Sequence, residues 1–169
     1  MTKFYRHGSA PCESPILYRG SGLDGIYLCN GYMREKIGDE WFTQIDDIEG
    51  LHEAIALYLV ENRPALAPVE IRFVRNAMDR TQAEIAQALG VDEQTVARWE
   101  KGKTAMPGPA DRALRIIFLA STMNPQELME FVSELGELSQ RDAASDEVTF
   151  VRDEKTDEWN AQEKVLEDA

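Results

Sequence analysis

Gln94, Thr95 and Arg98 carry the side chains best suited to reading a patterned polar surface. At positions i, i+1 and i+4 of a helix all three project from the same side. A Gln amide pairs bidentately with adenine, an Arg guanidinium pairs with guanine, and Thr offers a hydroxyl and a methyl. Glu93, one step nearer the helix start, either accepts from cytosine N4 or favours the positive end of the helix dipole. Arg98 has a competing use, because arginine contacts phosphate as readily as a base edge. Gln82, at the start of the preceding helix, and Lys101 and Lys103, just past the reading helix, are placed to meet phosphate.

Such a row is useful only if two helices hold it at a fixed angle. The stretch TQAEIAQALGVDEQTVARWEKGK, Thr81 to Lys103, has the pattern that does so. Thr81 and Glu84 form a capping box, in which a hydroxyl and a carboxylate satisfy each other's backbone donors. Ala86 is small enough for the two helices to meet, and Gly90 takes the left-handed turn between them. Asp92 caps the second helix, and Gly102 ends it. Val96 and Trp99 face inward from that helix, and Ile85 and Leu89 from the first. The spacing predicts a helix-turn-helix with a reading helix from Glu93 to Lys101.

The surrounding sequence supplies a bundle for this pair. Ile71, Val74 and Met78 give the stripe of a preceding helix. Leu114, Ile117 and Phe118 follow Pro109, and Leu128, Phe131, Val132 and Leu135 follow Asn124-Pro125. Five helices are expected between about residues 67 and 135. Before them, Ile26-Tyr27-Leu28, the turn pair Asn30-Gly31 and Trp41 to Ile45 read as a two- or three-stranded sheet, followed by a helix from about Glu49 to Glu61. The fold class is therefore mainly α with a small N-terminal β element (α+β), built around a five-helix bundle. Three segments follow: 1–65, a sheet plus helix for partner binding or dimerisation; 66–138, the helix-turn-helix domain; and 139–169, an acidic, partly flexible tail. Within that tail Val148 to Val151 reads as an added strand or a docking segment.

The 169 residues carry a net charge of −13, which argues against nonspecific nucleic-acid binding by the molecule as a whole. The charge is unevenly placed. Residues 66–120 hold eight Lys/Arg against seven Asp/Glu, whereas residues 134–169 hold twelve acids against four bases. The tail is expected not to help DNA binding or to oppose it, and removal of residues 140–169 to keep or raise affinity at low salt. No run is apolar enough to span a bilayer, and the start has no signal-peptide character, so a cytoplasmic chain is expected. Cys12 and Cys29 are read as reduced thiols. His7, Cys12, Cys29 and His52 lack a zinc-knuckle spacing, so no metal or other cofactor is expected. With no phosphate-cradling glycine loop and no nucleophile elbow, the sequence does not read as an enzyme.

The motif resembles that of the Cro/CI-like (XRE-type) helix-turn-helix regulators, over about Val69 to Leu119. In that family an arginine of the first helix pairs with the glutamate after the aromatic position, which implies a pair between Arg75 and Glu100. The wider stretch EIRFVRNAMDRTQAEIAQALGVDEQTVARWEKG is similar to MqsA/YgiT-type antitoxins, in which an N-terminal zinc module holds a toxin. The Cys-x-x-Cys elements of that module are missing from this chain. Two readings follow: a homodimeric transcriptional repressor or autoregulator on a double-stranded DNA operator, and an antitoxin that also binds a protein toxin. The helix after Asn124, with Phe131, Val132 and Leu135, is expected either to form the dimer interface or to pack on the N-terminal module.

Overall fold

The computed structural model describes residues 14–138, 140 and 147–162. These form two compact units, one from described residues of the first 55 positions and of the segment after 145, the other from Ala56–Ala144. In chain order the elements are β1 (Ile16–Leu17), β2 (Ile26–Leu28), β3 (Tyr32–Ile37), β4 (Glu40–Ile45), α1 (Ile48–Asn62), α2 (Pro68–Ala77), α3 (Gln82–Leu89), α4 (Glu93–Glu100), α5 (Gly108–Thr122), α6 (Pro125–Leu138), β5 (Val148–Arg152) and β6 (Trp159–Gln162). The chain is thus a mixed α/β structure with six helices among the described residues. The five-helix description covers only α2 to α6, and the β part exceeds a small N-terminal element.

The first unit is organised by a four-stranded sheet in the order β1-β2-β5-β6. Its centre is a parallel pair, with Ile26 opposite Val148 and Leu28 opposite Phe150. These four apolar side chains share one face and are buried. Asn30 extends the pairing beyond β2 by imitating a strand residue. Its Nδ2 donates to the Arg152 carbonyl at 2.9 Å, and its Oδ1 accepts from the Arg152 N–H at 2.7 Å. Asn30-Gly31 therefore does not make the expected hairpin turn. The hairpin turn lies at Gly38, with a φ of 66°, and joins β3 to β4 in a separate two-stranded sheet.

Val148 to Val151 lies in a true strand, and the segment after it returns as β6, antiparallel to β5. Two strands of the sheet therefore come from the acidic stretch, and removing residues 140–169 would take away the partners of β2 and expose its Ile26 and Leu28. That deletion is no longer a neutral test of DNA affinity. Cys29 is disulfide-bonded, contrary to the reduced-thiol reading; Cys12 and His7 lie outside the described residues.

Helix α1 begins at Asp47, whose Oδ1 accepts from the Gly50 N–H at 3.0 Å. A Cβ at Gly50 would collide with that carboxylate. In the helical unit, Asp111 and Arg115 make a buried junction that sequence reading did not foresee. Arg115 Nε donates to Asp111 Oδ1 at 2.6 Å and its Nη1 to the Val60 carbonyl, while Asp111 Oδ2 accepts from the Leu66 N–H at 2.9 Å. Helix α6 is capped by Asn124, whose Oδ1 accepts from the N–H groups of Gln126 and Glu127. Its Leu135 and Leu138 are buried, Phe131 and Val132 half-buried, and Met129 exposed. The apolar face proposed for dimerisation is thus partly consumed within the chain.

In the first unit, Tyr18 Oη and His52 Nε2 share a hydrogen bond of 2.8 Å. Burial lowers the His52 pKa from its usual 6.5. The unfolded chain therefore binds the proton first, and the contribution of neutral His52 is complete above about pH 6.5 and lost progressively as pH falls below it. Thermal melting followed from pH 8 to pH 5 should fall more steeply for the native chain than for His52→Gln. Parallel slopes would show that His52 does not contribute.

Candidate nucleic-acid interface

Each end of the helical pair is fixed by a local interaction. Helix α2 stops at Asp79, which takes a left-handed φ of 53°, and the Arg80 N–H returns to the Arg75 carbonyl at 3.3 Å. Thr81 then caps α3: Oγ1 accepts from the Glu84 N–H at 3.2 Å, and Glu84 Oε2 accepts from the Thr81 N–H at 2.8 Å. These bonds hold the Glu84 carboxyl below the ordinary range, so the cap is ionised at neutral pH. Gly90, at a φ of 70°, closes α3, with the Val91 N–H donating to the Ala86 carbonyl at 3.0 Å. Asp92 opens α4 by accepting from the Thr95 N–H at 2.9 Å, and its pKa is lowered by its bonds to Thr95. Gly102, at a φ of 67°, ends the turn, and the Lys103 N–H reaches the Arg98 carbonyl at 2.9 Å.

The inner faces of the pair are apolar. Ile85 and Ala86 from α3 and Val96 and Trp99 from α4 are buried, while Leu89 is half-buried. The small Ala86 lets the backbones approach, and Trp99 fills the space nearer the end of α4.

One carboxylate then ties three segments together. Arg75 Nε donates to Glu100 Oε1 at 2.6 Å, and Arg75 Nη2 to Oε2 at 3.1 Å. Gln82 Nε2 donates to the same Oε2 at 2.7 Å. The remaining arm of Arg75 donates to the Arg80 carbonyl at 2.7 Å. The pair is well shielded, with side chains 11% and 2% exposed for Arg75 and Glu100. A fork-to-fork arginine–carboxylate contact fixes both distance and rotation, because the two parallel bonds form in only one relative orientation.

On this frame Glu93, Gln94, Arg98, Lys101 and Lys103 are exposed. Among the described residues the side chains of Gln94 and Arg98 make no hydrogen bond within the helix pair, in contrast to two other expected contact residues. Thr95 is half-buried, and its hydroxyl donates to Asp92 Oδ2 at 2.9 Å, which commits its hydrogen and leaves its methyl and the oxygen's acceptor capacity to offer. Gln82 is half-buried and commits one amide hydrogen to Glu100, so it cannot serve phosphate alone. Sequence reading passed over Arg72, which is exposed on α2 four residues after Pro68. A Cβ on Gly102 would lie 3.4 Å from Pro68 Cγ, so the Lys101–Lys103 turn adjoins the first turn of α2. The signal for Arg72 was its i, i+4 relation to the residue that opens the helix.

A family model described as a helix-turn-helix, HTH_3, matches residues 71–110, from α2 into the start of α5. Residues 71–110 are therefore a Cro/CI-like helix-turn-helix domain, and DNA is the partner that such a domain implies. No curated protein matches the chain. No solved structure matches it either. The resemblance to MqsA/YgiT-type antitoxins finds no support in these comparisons. No described helix is long and apolar enough to cross a membrane.

Removing one side of the Arg75–Glu100 pair strands a shielded charge, which costs about 3–5 kcal/mol when burial is deep. Glu100→Ala should lower the melting temperature and weaken DNA binding, whereas the more exposed Arg80→Ala should change melting little. Unchanged melting of Glu100→Ala would show that the clamp contributes no net stability.

Proposed function

We propose that the chain is a sequence-specific transcriptional regulator, a repressor of the operator it binds, and that α4 reads the major groove. The observation that carries this reading is the exposed pair Gln94 and Arg98 on a helix whose opposite side is locked by Trp99 and Glu100. The two lie four positions apart on the helix, so both reach base edges within one groove. Lys101, Lys103 and Arg72 are exposed cations suited to the flanking phosphates. Thr95 contributes its methyl, and Glu93 adjusts selectivity at the helix start. Gln82 acts mainly through Glu100. A single reading helix covers only a few base pairs, so two copies of the chain on successive major grooves give the operator its length.

The test compares operator and scrambled DNA over a salt series, with the operator first selected from random fragments. Arg98→Ala should lose about 1–3 kcal/mol of discrimination at one operator position. Lys103→Ala should weaken binding to both DNAs alike and make the salt dependence shallower. Equal losses on both DNAs for Arg98→Ala would reassign that residue to phosphate.

A further inference from the structure

The β3–β4 hairpin stands as a two-stranded sheet with two open edges among the described residues. Its register places Tyr32 opposite Ile45, Arg34 opposite Thr43 and Glu35 opposite Phe42. The Asp46 N–H donates to the Gly31 carbonyl at 3.0 Å, which marks residues 31 and 46 as a hydrogen-bonded pair. Such pairs alternate along an antiparallel ladder. The backbone groups of Trp41, Thr43 and Ile45 therefore point to the open edge of β4, and those of Tyr32, Arg34 and Lys36 to the open edge of β3. Trp41 and Phe42 are 59% and 51% exposed, an unusual state for two large aromatic side chains in a strand.

Edge pairing between two copies about a two-fold axis keeps each face of the sheet on its own side, which restricts the registers. On β3, the two central registers set Arg34 against Arg34, or Arg34 against Lys36 with Glu35 against Glu35. Like charges directly opposite are destabilising, so this edge repels its own copy. On β4, a register centred on Thr43 brings Glu40 against Asp46, again like charges. A register centred on Phe42 has no such conflict: Phe42 meets Phe42, Trp41 meets Thr43 and Glu40 meets Gln44. Its backbone pattern also fits, because Trp41 and Thr43 are the residues whose N–H and C=O groups face outward, while Phe42 sits at a non-hydrogen-bonded position where side chains approach closely.

We propose that the β4 edge is a self-association surface, on which β4 of a second copy pairs antiparallel about an axis at Phe42. The product is a four-stranded sheet, β3-β4-β4-β3. One of its faces carries Met33, Ile37 and Phe42 from both copies, three exposed apolar side chains that the single hairpin leaves open. The β3 edges end up outermost, where their charges prevent further addition and close the assembly at two copies.

The test uses the purified full chain with the photoreactive residue p-benzoylphenylalanine at position 42, and in a second preparation at position 33 on the outer strand. Irradiation at position 42 should give a covalent dimer whose cross-linked peptides both contain β4, several-fold more than irradiation at position 33. Thr43→Pro removes an outward N–H at an edge position where proline is tolerated. It should abolish that cross-link and reduce the dimer in sedimentation, with the circular dichroism and melting temperature unchanged. Only monomeric products from position 42 would overturn the proposal, as would coupling to residues 125–138 of the second copy. If Thr43→Pro loses its fold, the mapped cross-link from position 42 decides alone.

Discussion

The Glu100 carboxylate is the point on which the helix pair depends. It lies in sequence beside Trp99, so the last turn of α4 is held twice: by apolar packing on one residue and by charge on the next. Arg75 brings α2 to this carboxylate, Gln82 brings the first residue of α3, and the second arm of Arg75 secures the loop between them through the Arg80 carbonyl. Burying an anion in this way is unfavourable unless its lone pairs are met by donors, and here three donors converge on two oxygens. The geometry of α4 is therefore set from its inner side, without contribution from the residues that face outward.

The near-neutral charge of residues 66–120 conceals how differently the two signs are used. Glu70 accepts from the Ala67 N–H and pairs with Arg63, Glu84 and Asp92 are helix caps, Glu100 is the clamp and Asp111 holds Arg115. Most of the acids are spent on backbone donors or internal cations. Arg72, Arg98, Lys101 and Lys103 remain exposed, as does Arg112. A composition count cannot separate these roles, because it weighs a capping carboxylate and a solvent-facing lysine equally. In the proposed complex it is the exposed set that would face phosphate.

How much could be read from the sequence depended on the range of the interaction. Thr81, Glu84, Gly90, Asp92 and Gly102 act within a few residues of themselves, and each stands where its local chemistry requires it. The Arg75–Glu100 contact spans two helices, and a family resemblance was needed to suggest it. Asn30 was misread because Asn-Gly is a strong turn signal, while its use as a strand extension depends on Arg152, 122 positions away. The Asp111–Arg115 junction escaped notice because its other partners are backbone groups, the Val60 carbonyl for Arg115 and the Leu66 N–H for Asp111, which sequence patterns do not display. Gln82 was assigned outward from its position at a helix start, and only the placement of Glu100 shows that its amide turns inward.

The parallel pairing of β2 with β5 has a consequence for the order in which the chain acquires structure. The helical segment is dominated by contacts between near neighbours, which close quickly because the loops between them are short. Ile26 and Leu28 must instead wait for Val148 and Phe150, so their strand cannot be completed until the whole helical segment has been synthesised. On the ribosome the helical unit therefore matures first, while the early strands stay without their central partner. A stall or cleavage between the two halves would release a chain with a formed helix-turn-helix and an unprotected apolar strand.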